Sequence, residues 1–296
     1  MQEISFANIT TDVPSYPAAD EKDITVTILR LDKVHPLISG NKIFKLRYYL
    51  EEAKLLDRKK IITFGGAWSN HILATAAACQ LAGFEATAYI RGEEPATRSS
   101  TLTEASQLGM KLIFVAREEY TRQKRKLADE TGDAYIIHEG GYGTKGAEGA
   151  ATIAQHFHQS GYTHICCAAG TGTMTAGLLM SALPVQEVIS ISVLKNNLQL
   201  ETDIQALAGT CTGQLTTIHD YHFGGYAKYK PELIHFMNEW YRRSMIPSDF
   251  VYTGKLFFAI DDLIKNNFFP PGSKILLVHS GGLQGNTSLS KGTLIF

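Results

Sequence analysis

The amino-acid sequence predicts an α/β fold of mainly parallel, twisted sheets flanked by helices, arranged in two lobes. Three observations predict it. Apolar, β-branched runs of strand length alternate with helical patterns along most of the chain. Such alternation implies crossover connections that cover both faces of each sheet. Glycine clusters follow several strand-like runs, and in these folds ligands sit at the carboxyl ends of strands. Two seams, the turn before Lys42 and the glycine-rich Glu139–Gly149, mark out the lobes. A small lobe over residues 44–148 is expected, inserted in a larger one formed by 1–43 and 149–296.

Taken in order, the first clear element is "ISGNKIFKLRYYLEEAKLL", Ile38–Leu56, an amphipathic helix. Leu46, Leu50 and Leu55 are read as its buried face, and Arg47, Glu51 and Glu52 as its wet one. Lys42 stands at its start, where the positive end of the helix dipole disfavours a cation. Lys60–Gly66 reads as a buried strand. Ser69–Gly83 reads as a helix with Ser69 at or near the N-cap and Gly83 past its end. "EATAYIR" is a strand, "STLTEASQLG" a helix, and "KLIFVA" and "AYIIHEGG" further strands. A helix follows from about Lys145. "THICCAAG", "EVISISVL" and "KILLVHSGG" complete the strand-like runs. There is no internal repeat and no low-complexity segment.

Composition excludes some classes of function. Of 296 residues, 44% are hydrophobic and 19% charged, enough for a sizeable core. The net charge of −1 gives no field to attract nucleic acid or an anionic membrane. The one dense basic run, "TRQKRK" (Thr121–Lys126), has no interleaved aromatics and reads as a solvated helix face. Cys79, Cys166, Cys167 and Cys211 form no CxxC pair and no zinc spacing, so no metal is expected. No signal-peptide pattern or membrane-length apolar run is found, and a cytoplasmic protein is the expectation.

Three strand ends carry chemistry. "AAGTGTMTAGLLM", Ala168–Met180, ends a strand in Gly170, Thr171, Gly172 and Thr173 and then starts a helix. Its backbone N–H groups, helix terminus and hydroxyls make a phosphate cup. It has neither the Walker closing Gly-Lys-Ser/Thr nor the dinucleotide spacing, and a plain turn remains the alternative. "GGAWSNH", Gly65–His71, offers Ser69, Asn70 and the first helical amides to a carboxylate, unless Ser69 only caps. "HSGG", His279–Gly282, adds a hydroxyl. His279 and His138 lie in apolar runs and read as satisfied core histidines. Lys42 completes the set, because an amine beside a phosphate site and a carboxylate site is what an aldehyde cofactor needs for a Schiff base.

"SGNKIFKL", "FGGAWSNH", "GTGTMTAG", "VYTGK" and "HSGG" occur in that order from about Asp32 to Gly282. In this the chain resembles the pyridoxal-phosphate enzymes of the aminocyclopropane-carboxylate deaminase and D-cysteine desulfhydrase group, of the tryptophan-synthase-β-like fold. The resemblance implies pyridoxal 5′-phosphate as cofactor, a small amino acid as substrate, and a homodimer. It implies Lys42 as the Schiff-base lysine and Asn70 as partner of the cofactor's phenolic oxygen. Ser69 and His71 are implied as the substrate-carboxylate pocket, with Ser69 also a proton carrier. Gly170, Thr171, Gly172 and Thr173 match the phosphate cup, and Tyr252 the tyrosine beside the ring. Tyr226, in "FGGYAKY", matches a second active-site tyrosine. Ser280 matches the hydroxyl facing the pyridine nitrogen; being neutral, it suits elimination better than transamination.

The substrate branch is read from departures. Deaminases of the cyclopropane amino acid resemble one another in "YEGK" and "HLGG"; here those positions hold Thr253 and Ser280. This resembles the D-cysteine desulfhydrase branch, and β-elimination from a D-cysteine-like amino acid, giving keto acid and ammonia, is the expected activity. Cyclopropane deamination is the alternative. Trp68 replaces a polar residue, and Phe44 an arginine common in the group. They suggest a larger or more apolar substrate, and they keep open a member that binds cofactor, or another phosphorylated ligand, without turnover.

Overall fold

The computed structural model describes residues 4–129 and 132–296. Residues 1–3, 130 and 131, which fall inside the expected lobes, lie outside that description. In chain order the strands are β1 (Thr11–Asp12), β2 (Thr25–Arg30), β3 (Lys60–Gly65), β4 (Glu85–Arg91), β5 (Lys111–Val115), β6 (Ala134–Ile137), β7 (His164–Ala169), β8 (Glu187–Ser192), β9 (Gln214–Ile218) and β10 (Lys274–His279). The helices are α1 (Pro17–Asp20), α2 (Asn41–Leu55), α3 (Asn70–Ala82), α4 (Ser100–Gln107), α5 (Arg117–Asp129), α6 (Thr144–Ala151), α7 (Thr173–Ser181), α8 (Leu200–Ala208), α9 (Pro231–Ser244) and α10 (Thr253–Lys265).

Two sheets result. One runs β5-β4-β3-β6, all parallel, and its strands come from a single continuous stretch of chain. The other runs β1-β2-β10-β7-β8-β9, drawing on both ends of the chain, with only β1 antiparallel. Strands β1, β2 and β9 and helices α1, α8, α9 and α10 are additional to the elements expected from sequence. β9 reads "QLTTI" and is half-buried at a sheet edge, so its apolar signal is weak.

The apolar runs of the larger sheet follow from burial on both faces. On β10, Leu276 and Val278 join one core cluster while Ile275 and Leu277 join another. On β7 the same alternation separates Ile165 and Cys167 from Cys166. Side chains alternate faces with period two, so a strand covered on both sides has no polar position to spare. The first cluster also takes in Ile61 and Ile90 of the smaller sheet and Leu46 and Leu50 of α2, so one core spans both sheets.

Helix α2 corrects one expectation. Leu55 is 86% exposed, and Ala53 is buried in its place. At 100° per residue, position 55 is half a turn away from position 46, whereas position 53 falls almost beneath it. Helix α6 packs closely on α2 and α7. A Cβ on Gly149 would overlap the Phe44 carbonyl oxygen, so the glycine there permits contact at backbone distance. No helix among the described residues is long and apolar enough to cross a membrane.

Candidate active site

A cavity of about 600 Å³ lies at the carboxyl ends of both sheets. Gly66 follows β3, Arg91 ends β4, His138 follows β6, Gly170 follows β7, Leu194 lies just past β8 and Ser280 follows β10; all six line it. Its size is ordinary for a small-molecule site. Lys42, Ser69, Asn70, His71, Gly170, Thr171, Gly172, Tyr226, Tyr252 and Ser280 line the same cavity, although they come from distant parts of the chain. Thr173 stands behind it, buried, with its hydroxyl 3.0 Å from that of Thr171.

Lys42 is in the first turn of α2, after Gly40 (φ 64°, ψ −139°). Its Nζ donates to Asn41 Oδ1 at 2.8 Å. Burial lowers its pKa to about 8, against the raising field of Asp249. A substantial neutral fraction at physiological pH makes the amine nucleophilic, and it relieves the conflict with the helix dipole. Lys45, three residues on and on the same helix face, is a second buried amine in the cavity. It donates to the Gly140 carbonyl at 3.3 Å, and burial together with Lys42 pushes its pKa well down. Sequence reading missed it, although its i+3 spacing from Lys42 was a usable signal.

At the start of α3, Ser69 holds the N-cap position, yet its hydroxyl caps no amide. The N–H groups of Asn70 and His71 are therefore left for a ligand, while that of Ile72 donates to the Ser69 carbonyl at 3.0 Å. Asn70 Oδ1 is buried with no partner among the described residues. His71 is fixed differently. Thr63 Oγ1 donates to the Ile137 carbonyl at 2.8 Å, so it must accept from His71 Nε2 at 2.7 Å. Nδ1 then carries a lone pair, buried and without a partner among the described residues. Burial, Lys42, Lys45 and Lys124 hold the ring well below its usual pKa and so neutral. In that state His71 has no free proton to give a carboxylate.

Across the cavity, Gly172 (φ 75°, ψ −12°) is the N-cap of α7. Gly140 abuts Thr171, which brings the Lys45 amine close to this cup. Ser280 follows β10. His279 before it is fully buried: Nε2 donates to the Pro247 carbonyl at 2.7 Å and Nδ1 accepts from Gly281 N–H at 3.2 Å. It is a satisfied core histidine, as expected. His138 is not; it is exposed at the cavity wall.

Tyr252 precedes α10 and packs on Tyr226, with ring centroids 6.3 Å apart. Burial, reinforced by Tyr226 and Asp249, raises its pKa well above 10 and keeps it a phenol. Buried Asp249 organises this corner, accepting from the N–H groups of Val251, Tyr252 and Thr253 at 2.9, 2.8 and 2.9 Å. Lys255, also fully buried, donates to the carbonyls of His222 and Gly225 at 2.8 Å each, tying down the loop that carries Tyr226. Neither residue was singled out from sequence. Lys255→Met leaves both carbonyls without that donor, and a cost of about 2 kcal/mol is expected. It is read as a lower urea midpoint with faster proteolysis between residues 219 and 230; an unchanged midpoint counts against it.

Two residues expected to reshape the pocket do not line it. Phe44 is buried against Phe6 and His156, and Trp68 is 38% exposed outside the lining. The apolar lining expected from them is absent. Within "TRQKRK", Lys124 departs from the solvated face, lining the cavity 3.5 Å from Glu139. Among the described residues no group of three or more His, Cys, Asp or Glu could hold a metal ion.

Residues 11–281 match the family model described as "Pyridoxal-phosphate dependent enzyme". The chain belongs to that family. A putative 1-aminocyclopropane-1-carboxylate deaminase of Pyrococcus furiosus is 28% identical over 272 residues, 84% of this chain and 82% of the relative. A D-cysteine desulfhydrase of Salmonella newport is 27% identical over 281 residues, 86% of each chain. Among solved structures, one described as an ACC deaminase homologue superposes with a TM-score of 0.81 at 26% identity. That match covers 96% of this chain and 92% of the other. As a member of the pyridoxal-phosphate dependent enzymes, the chain should offer an amine, an anion cup and a free polar group for the ring. Lys42, the glycine–threonine turn before α7 and the unpartnered carboxamide oxygen of Asn70 meet those needs.

Proposed function

We propose that this family member is a lyase that removes the amino group of a small amino acid by β-elimination, in the manner of the D-cysteine desulfhydrases, giving keto acid and ammonia. The observation that carries the reading is the Lys42 amine, pushed down to about 8 in a cavity between a glycine–threonine cup and an uncapped helix start. Bound pyridoxal phosphate supplies an aldehyde that couples to amines and a ring that takes up the electron pair released at Cα.

The amides and hydroxyls of Gly170–Thr173, at the N-terminus of α7, would bind the phosphate, and the Lys45 amine would add a hydrogen-bond donor nearby. Asn70 would meet the phenolic oxygen, and Tyr252 would stand beside the ring. Ser280 would offer the ring nitrogen a neutral hydroxyl and no carboxylate. Ser69 and the free amides of α3 take the substrate carboxylate. This leaves out His71, whose Nε2 proton is committed to Thr63. The neutral amine of Lys42 would act as base toward the Cα proton, and Ser69 would be the second proton carrier.

Cyclopropane deamination is the second reading, favoured by the names of several relatives. Thr253 opposes it. Where deaminases of that amino acid have a glutamate, the Thr253 hydroxyl is bound both ways to Asp249, accepting at 2.8 Å and donating at 2.7 Å. A glutamate there would set a carboxylate against Asp249. The test is keto-acid release by the purified holoenzyme from D-cysteine, L-cysteine, β-chloroalanine and the cyclopropane amino acid. Release at least about tenfold faster from a β-substituted substrate is expected. Release from the cyclopropane substrate alone would replace this reading with the second.

A further inference from the structure

Resting on the lyase reading, a further step concerns the substrate's other end. The cavity wall holds four basic side chains, Lys42, Lys45, Arg91 and Lys124, and one carboxylate, Glu139. His71 and His138 add no charge at neutral pH, since burial lowers both. Burial lowers both Lys42 and Lys45, and Lys45 stands by the cup that would take a phosphate. The substrate's α-carboxylate is met by Ser69 and amides. Arg91 and the Lys124–Glu139 pair are then left over, with a net positive charge.

Arg91 ends β4, on the strand edge where ligands of this architecture sit. Its guanidinium lies 5.9 Å from the Tyr120 ring centroid and 3.9 Å from where a Cβ on Gly66 would stand. It therefore stands beside the open turn that leads to Ser69. No carboxylate of the described residues pairs with it. Lys124 comes from α5, its amine 5.6 Å from the Phe64 ring centroid and 6.0 Å from that of Tyr120. Its contact with Glu139 is long, 3.5 Å, and only partly neutralises it. Two cations from separate elements thus converge on one wall of the cavity, and their aromatic neighbours hold them there.

We propose that the substrate carries a second acidic group on its side chain, a carboxylate, sulfonate or phosphate, and that Arg91 and Lys124 bind it at the cavity wall. A planar guanidinium beside an ammonium suits a multi-oxygen anion. A hydrogen bond to a charged group is worth about tenfold or more in affinity.

The test is a titration of the holoenzyme's visible spectrum with matched amino acids in both configurations: aspartate against asparagine, and 3-sulfoalanine and O-phosphoserine against serine. At least one acidic member should bind about tenfold or more tightly than its neutral mate, and the preferred pair identifies the anion. Arg91→Gln and Lys124→Gln, checked for folding by retention of the visible band, should bring that ratio to about one. Equal binding of acidic and neutral members, or a preference that survives both substitutions, overturns the inference and leaves the lyase reading standing. A protein with no visible band overturns both.

Discussion

Lys42→Ala should abolish the visible absorbance band of the cofactor-loaded protein and lower keto-acid release at least ~10³-fold, since it removes both the coupling amine and the Cα base. The same variant should keep the wild-type circular dichroism, because among the described residues the amine's only hydrogen bond is to its neighbour Asn41. A variant that keeps a band removable by borohydride would refute the assignment. A wild type with the band but no turnover of any amino acid would point instead to a member that only binds its cofactor.

The pH dependence has a definite sign. In the folded apo-protein the Lys42 amine is held at about 8, against 10.5 for an ordinary lysine. Between these values the unfolded chain binds more protons, so this lysine makes stability rise as pH increases from about 8. Below pH 8 both states are protonated, and the cost of keeping the buried charge is constant. Above pH 9 the buried thiols of Cys79 and Cys167, held at about 12 and about 11, act the other way. The difference in urea midpoint between apo wild type and Lys42→Ala isolates the lysine: the wild type should gain on the variant between pH 8 and 10. The rate at which apo-protein takes up pyridoxal phosphate should rise over the same range, with a midpoint near 8. A rate that keeps climbing about tenfold per pH unit up to pH 10, with no levelling above 8, would show that Lys42 is an ordinary solvated amine.

Gly40→Ala should be the most damaging change of a single methyl group in the chain. At φ 64° and ψ −139° the backbone occupies a region essentially reserved for glycine. A Cβ there would also overlap the carbonyl oxygen of Ser280. Backbone strain and overpacking together make a cost of about 3–5 kcal/mol. That is enough to unfold a large fraction of a marginally stable protein. What survives should bind pyridoxal phosphate poorly, because Gly40 joins the turn carrying Lys42 to the turn carrying Ser280. A soluble variant with wild-type Tm and spectrum would show that the two turns can separate.

Much of this was legible in the residues. The strand–helix alternation, the glycine–threonine turn at 170–173 and the Ser69–Asn70 helix start are local patterns, and local patterns survive in a linear sequence. Among the additional elements, β9 is polar because it lies at an edge, and β2 comes before the alternation begins. Leu55 misled because hydrophobicity was matched without counting the helical angle. Trp68 and Phe44 misled because nearness in sequence to a site motif does not give the direction of a side chain.

By itself the sequence determined that mainly parallel sheets form, that an amine is available at position 42, and that turns rich in glycine and hydroxyl groups end β7 and begin α3. Each depends on residues within a few positions of one another. Only the tertiary structure decided the charge and orientation of those groups. Burial lowers Lys42 and Lys45; Thr63, on another element, sets the protonated nitrogen of His71; and Arg91 and Lys124, from separate elements, line one cavity. Desolvation and electrostatic fields depend on distance in space, and folding brings together residues that the chain keeps apart.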